Sequence, residues 1–132
     1  MDNNGDKMKI AIDLDNTITA NRESIKFFAA LTNLLIAEHR IYIITNREPN
    51  TEQDIAEELD CLGIEYTEIV ITANKAEFIL KEGITIYFED TEEYFLTLPD
   101  SVLVFKIRED GNFSFAEKKW LANKTTTKMI DE

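Results

Sequence analysis

Two acids stand two residues apart at the end of an apolar run: Asp13 and Asp15 in "KIAIDLDNTIT", residues 9–19. Side chains alternate along a strand, so positions 13 and 15 of an extended run point the same way. Two carboxylates side by side repel each other, and one of them is pushed toward its protonated form. A cation between them, a catalytic division of labour, or both would account for the pair. Other residues capable of chemistry close similar runs: Thr45 and Asn46 in "IYIITNRE", Glu89 and Asp90 in "ITIYFEDTEE", and Lys75 just after "EIVIT".

Five runs rich in β-branched residues must position these groups: "KIAIDL", "IYIIT", "EIVIT", "ITIYFE" and "SVLVFKI". They are nearly continuous rather than alternating, as in strands buried on both faces of a parallel sheet. Helical patterns lie between them. "ESIKFFAALTNLLIAEH" sets Ile25, Phe28, Leu31 and Leu35 on one stripe. "PNTEQDIAEELDCLG" offers Asn50 as N-cap with Gln53 three residues on and Gly63 as the stop; "NKAEFILKEG" repeats the device with Asn74, Glu77 and Gly83. "DTEEYFLTLP" reads as a short fourth helix. Past the fifth strand, Asp110-Gly111 signals a hairpin, and "AEKKWLANKTTTKMIDE" reads as a short helix anchored by Trp120 and Leu121. Strand–helix alternation through five strands predicts an α/β, doubly wound, three-layer Rossmann-like domain with right-handed crossovers, one domain over residues 1–132.

In such sheets ligands bind outside the carboxyl ends of the strands. Asp13, Asp15, Thr45, Asn46, Glu89 and Asp90 all leave strands at that edge, and Lys75 opens a helix that starts there. Four acids against one lysine cannot hold an anion unless a hard cation sits among them. An all-oxygen set without His or Cys suits Mg²⁺.

These residues resemble the motifs of the haloacid dehalogenase-like superfamily. "DLDNT" fits its first motif, Asp-x-Asp-x-Thr; Thr45 after "IYII" fits the second, Lys75 the third, and "FED" the paired-acid form of the fourth. The resemblance covers residues 8 to 107, and the spacing from Lys75 to Asp90 looks like the small 5'-nucleotidase and polynucleotide phosphatase branches. It implies the sheet order 5-4-1-2-3 and a Mg²⁺-dependent phosphatase. Asp13 would be the nucleophile and a metal ligand. Asp15 would be the general acid–base, its backbone carbonyl also on the metal. Thr45 would hold a phosphoryl oxygen and Lys75 would neutralise the transferring group. Asp90 is the expected direct metal ligand with Glu89 in the outer shell, and Thr17, Asn46 and Arg47 are expected to contact substrate.

Each residue also has a bland reading. Asp15-Asn16-Thr17 are turn formers, Thr45-Asn46 can simply open a loop, and Glu92-Glu93 suit a helix start. Lys75 has the wrong sign for a helix N-terminus, which argues that it is used. Arg22 and Arg47 lie in loops near the same edge. His39 is expected at a helix end or exposed, Cys61 packed or inert, and Phe27, Phe28, Tyr94, Phe95 and Trp120 in the core or packed on the sheet. A signalling receiver domain has similar groups, but its phosphoacceptor sits on the third strand, where "EIVIT" carries no acid.

The formal charge, 14 basic against 26 acidic residues, is −12. It disfavours phosphate backbones and anionic membranes as partners, leaving a small phosphorylated substrate as the expectation. One cysteine excludes an intramolecular disulfide, and the polar start "MDNNGDKMK" makes the cytoplasm the expected compartment. No gap has room for the cap domain that many relatives insert, so the site should be open unless a neighbouring subunit of a homo-oligomer covers it.

Overall fold

The computed structural model describes residues 7–107, 111–114 and 116–122. Strands β1 (Lys9–Asp13), β2 (Arg40–Thr45), β3 (Glu68–Ile71), β4 (Ile86–Glu89) and β5 (Leu103–Lys106) form one all-parallel sheet in the order β3-β2-β1-β4-β5. This is the expected architecture and strand order. Helices α1 (Arg22–Leu35), α2 (Glu52–Leu62) and α3 (Lys75–Glu82) make the first three crossovers, and a single 3₁₀ turn, Glu92–Phe95, stands where a fourth helix was expected.

The continuous apolar runs fill two cores, one on each face of the sheet. Ile10, Ile12, Ile41, Ile43 and Phe88 meet Phe28 of α1 and Ile55 and Leu59 of α2. Ala11, Tyr42, Ile44 and Tyr87 meet Ile79 of α3. Adjacent residues of β1 and β2 therefore belong to opposite cores, and each buried Ile or Leu contributes about 1.5–3 kcal/mol of transfer free energy. Phe28 and Phe88 meet edge to face, with ring centroids 5.3 Å apart. Phe27, expected inside, is 54% exposed because it faces away from that stripe. Cys61, read as packed or inert, is exposed on α2. His39 accepts the Met8 backbone N–H on Nδ1 at 3.0 Å and so ties the end of the α1–β2 connection to the start of β1.

Local signals set most boundaries. Gly63 and Gly83 end α2 and α3 in the left-handed conformation (φ +75° and +77°), and the Asn74 side chain caps α3 by accepting from Glu77 N–H at 3.1 Å. The start of α2 differs from expectation. Thr51, not Asn50, is the N-cap, and Asn50 takes a left-handed turn conformation instead (φ +65°), which Asn tolerates. The helix expected around Trp120 is a strand: β7 (Lys119–Ala122) pairs antiparallel with β6 (Gly111–Ser114), Phe113 opposite Trp120. Lys118 at φ +56° lies in the turn between them. The hairpin signal at Asp110 falls outside the described residues, while Gly111 opens β6. Among the described residues no helix is long and apolar enough to cross a membrane.

Candidate active site

The chain runs from β1 outward to β2 and β3, then returns across β1 to β4. The sheet therefore has its topological switch point between β1 and β4, where a crevice opens at the carboxyl edge. Asp13 ends β1 and Glu89 ends β4, each one residue beyond the paired Ile12 and Phe88. A pocket of about 190 Å³ opens there, lined by Asp13, Asp15, Thr45, Asn46, Lys75, Glu89 and Asp90 together with Asn16, Thr91 and Tyr94.

The two acids of the opening motif reach this pocket by different means. Asp13 is on the strand and 3% exposed. Asp15 lies in a wide turn, Leu14–Ile18, closed by Thr19 N–H on the Leu14 carbonyl at 3.2 Å, with Asn16 left-handed at φ +63°. Strand alternation thus does not extend to position 15; the turn brings it round. Thr17, buried, lies beneath the pocket rather than in its lining. Its hydroxyl donates to Asp13 Oδ2 at 2.8 Å and lies 3.3 Å from Asp90 Oδ1, so it braces these carboxylates.

Lys75 is the centre of charge. Its ammonium donates to Asp13 Oδ1 at 2.6 Å and Glu89 Oε1 at 3.0 Å, and sits 4.7 Å from the centroid of the Tyr94 ring. All three ionic partners are nearly inaccessible to water. Burial pushes the Asp13 carboxyl up to about 8; the Lys75 ammonium opposes the rise and the Glu89 charge adds to it. Burial likewise raises Glu89, against Lys75 and a hydrogen bond from Tyr87. Lys75 itself lies above its ordinary value: burial lowers it, but the charges of Asp13 and Glu89 outweigh that.

Glu89 has little left to offer a further ligand. Besides Lys75 it accepts from the Tyr87 hydroxyl and, on Oε2, from the backbone N–H groups of Asp90 and Thr91, both at 3.2 Å. Asp90 has no such set. Carboxylate oxygens of Asp13, Glu89 and Asp90 lie within 4.8 Å of one another. Three acids against one ammonium, all oxygen donors, fit a divalent hard cation such as Mg²⁺ better than any soft metal. On the opposite wall the Thr45 hydroxyl, on a residue 1% exposed, has no hydrogen-bond partner among the described residues. A buried hydroxyl is costly to leave unpaired, so this one suits a bound oxygen.

Arg47 is not among the residues lining the acid pocket and grips two carboxylates. Nε and Nη2 donate to Asp15 at 3.0 and 2.6 Å, and Nη1 and Nη2 donate to Glu58 of α2 at 2.8 and 3.2 Å. Hydrogen bonding to Arg47 holds the Asp15 carboxyl below its usual range. Arg22 opens α1 and is exposed, outside the pocket lining.

Three participants escaped the sequence reading. Tyr87 reads as one more residue of a buried strand, Glu58 as one of many acids on α2, and Tyr94 as core. Strand parity could have found Tyr87, because residues 87 and 89 share a face. Nothing in the sequence pairs Glu58 with Arg47.

No family model matches the chain, and no curated protein matches it. Among solved structures it is similar to a chain of the "Structure of the Pnkp1/Rnl/Hen1 RNA repair complex", with a TM-score of 0.56 and 14% identity over 82% of this chain and 45% of that one. A looser likeness, TM-score 0.44 and 12% identity over 76% of this chain and 96% of the other, is to the "Crystal structure of universal stress protein in complex with cAMP", and it carries no argument about topology or site. The chain thus spans less than half the length of the first neighbour, and what the two share at this identity is the fold.

Proposed function

We propose that the protein is a Mg²⁺-dependent phosphomonoester hydrolase working through an aspartyl-phosphate on Asp13. The observation that carries this reading is the Asp13–Lys75–Glu89 cluster facing an unpartnered Thr45 hydroxyl across one small pocket. Asp13 and Asp90 carboxylate oxygens and the Asp15 backbone carbonyl would hold the metal. When bound, Mg²⁺ supplies positive charge against a phosphoryl oxygen and balances the acids.

The steps follow from the residues. Asp13, as the carboxylate, attacks phosphorus, forming a carboxylate O–P bond as the bond to the leaving oxygen breaks; Asp15, once it has let go of Arg47 and taken up a proton from solvent, gives that oxygen the proton. Asp15 then takes a proton from water, whose oxygen attacks phosphorus and frees Asp13 with inorganic phosphate. Lys75 and Thr45 hold phosphoryl oxygens, and Glu89, fixed by Tyr87 and two backbone N–H groups, keeps Lys75 aimed. Arg47 and Glu58 position Asp15. Only Thr19, Ala20 and Asn21 separate the turn after β1 from α1, so no inserted domain covers the site there. RNA repair belongs to the neighbour's name; on this chain a charge of −12 favours small phosphomonoesters over phosphorylated RNA ends.

The test is hydrolysis of a simple phosphomonoester with and without Mg²⁺. Activity should need the metal and vanish in excess chelator; full activity in chelator removes the mechanism. A second expected result concerns the acid pair. Asp90→Asn should lower Mg²⁺ affinity, measured by calorimetric titration, more than Glu89→Gln does, because Glu89 is already committed to four donors. The reverse order would exchange their roles.

A further inference from the structure

We propose that Tyr94 competes with the phosphoryl group for Lys75: its ring covers the ammonium, swings aside as phosphate binds and returns as phosphate leaves. This rests on the phosphomonoester reading and extends it to how the site takes up and releases its anion. An ammonium has three N–H groups. Lys75 donates to Asp13 Oδ1 at 2.6 Å and to Glu89 Oε1 at 3.0 Å, and the Tyr94 ring lies over the nitrogen, its centroid 4.7 Å away. With these neighbours in place the Lys75 side chain is only 4% exposed. A phosphoryl oxygen therefore reaches the ammonium only if one of the three gives way.

Of the three, the ring is the one free to move. Asp13 ends β1, paired opposite Ile44 of β2, and accepts from the Thr17 hydroxyl at 2.8 Å. Glu89 ends β4 and accepts from Tyr87 and from the N–H groups of Asp90 and Thr91. Tyr94 stands on the single 3₁₀ turn Glu92–Phe95, half-buried, in the lining of the acid pocket. Its hydroxyl has no hydrogen-bond partner among the described residues. The neighbouring Phe95 meets Tyr87 edge to face at 5.9 Å and anchors the turn, so the Tyr94 ring can rotate about its own side-chain bonds while the backbone stays. Its hold on Lys75 is also the weakest of the three, a cation–π contact against two charge-assisted hydrogen bonds.

The consequence is a built-in limit on phosphate affinity. Each binding event gives up the ring's contact with the ammonium, so the measured affinity is reduced by the fraction of molecules whose ring already stands aside. A charged phosphoryl oxygen outcompetes a neutral ring, and free phosphate meets the same competitor on its way out. Tyr94 is thus a positioning residue that opposes Glu89. Glu89 keeps Lys75 aimed, and Tyr94 loosens what Lys75 holds.

The experiment titrates inorganic phosphate into the protein by calorimetry with Mg²⁺ present. Tyr94→Leu removes the ring and should tighten phosphate binding about fivefold, the scale of a partly desolvated cation–π contact. Tyr94→Phe keeps the ring and should stay within about twofold of the parent. A ring-fluorinated phenylalanine at position 94 keeps the shape but drains negative charge from the ring face, so it should bind phosphate more tightly than Tyr94→Phe. A merely structural role would not follow the electronics of the ring. In the parent, the Lys75 Hε protons should resonate upfield in the shielding cone of the ring, and saturating phosphate should remove that shift. Phosphate binding that is unchanged or weaker without the ring, or an upfield shift that survives saturation, overturns the competition while the hydrolase reading stands. If the parent binds no phosphate with Mg²⁺ present, the hydrolase reading falls and the competition falls with it.

Discussion

Asp13→Asn should abolish hydrolysis and, in the same molecule, raise the thermal stability of the metal-free protein. The loss of activity follows from removing the nucleophile and should reach at least about 10⁴-fold. The gain in stability follows from the site's charge. The Asp13 carboxyl stands at about 8 in the folded protein against 3.8 in an ordinary setting, chiefly because it is buried. Between those values the folded state holds a proton that the unfolded chain has released. The stabilisation from this group is therefore full below pH 3.8 and is lost as pH rises through about 8. The Asn variant has no such proton to lose. Its melting temperature should exceed the parent's by a margin that widens from pH 5 to pH 9, roughly 3–5 °C for each 1 kcal/mol in a chain of this length. Adding Mg²⁺ should close the margin by stabilising the parent alone. A margin that stays constant with pH would mean that burial of Asp13 is not what strains the site, and retained turnover would remove Asp13 from the chemistry.

The same competition between burial and charge explains which parts of the site could be read in the sequence. Parallel strands buried on both faces announce themselves as continuous apolar runs, and their carboxyl ends share one edge, so Asp13, Thr45, Glu89 and Asp90 could be gathered before any coordinates. Lys75 could be added because its sign is wrong for a helix start. What the pattern could not supply is which acid each cation chooses. Arg47 carries five donors in a fixed fork, and its partners, Asp15 and Glu58, are 32 and 11 residues away. Such a pairing is decided by how α2 lies on the sheet, not by a local period. The expected helix at Trp120 failed for a related reason. "KKWLA" is compatible with either period, and the pairing with Gly111–Ser114 decided it. Likewise Asn50 and Thr51 are both good caps, and the positive φ at Asn50 left the role to its neighbour.

Replacing Lys75 by Met should produce the largest loss of stability of any single change at the site. Methionine fills similar volume, so little of the loss comes from packing. What changes is that Asp13 and Glu89, both nearly sealed from water, lose the ammonium that bonds to each at 2.6 and 3.0 Å. Removing one partner from a buried ionic cluster costs about 3–5 kcal/mol, because charge is left without compensation. That is a large part of the ordinary margin of about 5–15 kcal/mol, so the metal-free variant should melt far below the parent at pH 8. Two further measurements separate uncompensated charge from general damage. Lowering the pH to 5 should restore much of the lost stability, because both acids already lie above their ordinary values through burial and take up protons readily once Lys75 is gone. Adding Glu89→Gln to Lys75→Met should also recover stability, since the double variant carries one buried charge fewer; the two changes are then strongly non-additive. Mg²⁺ should rescue the fold of the single variant more than its activity, because the metal can balance the acids but cannot take the ammonium's place beside Tyr94. Additive losses from the two substitutions, or a Lys75→Met protein as stable as the parent at pH 8, would mean that the acids of this site are compensated by something other than Lys75.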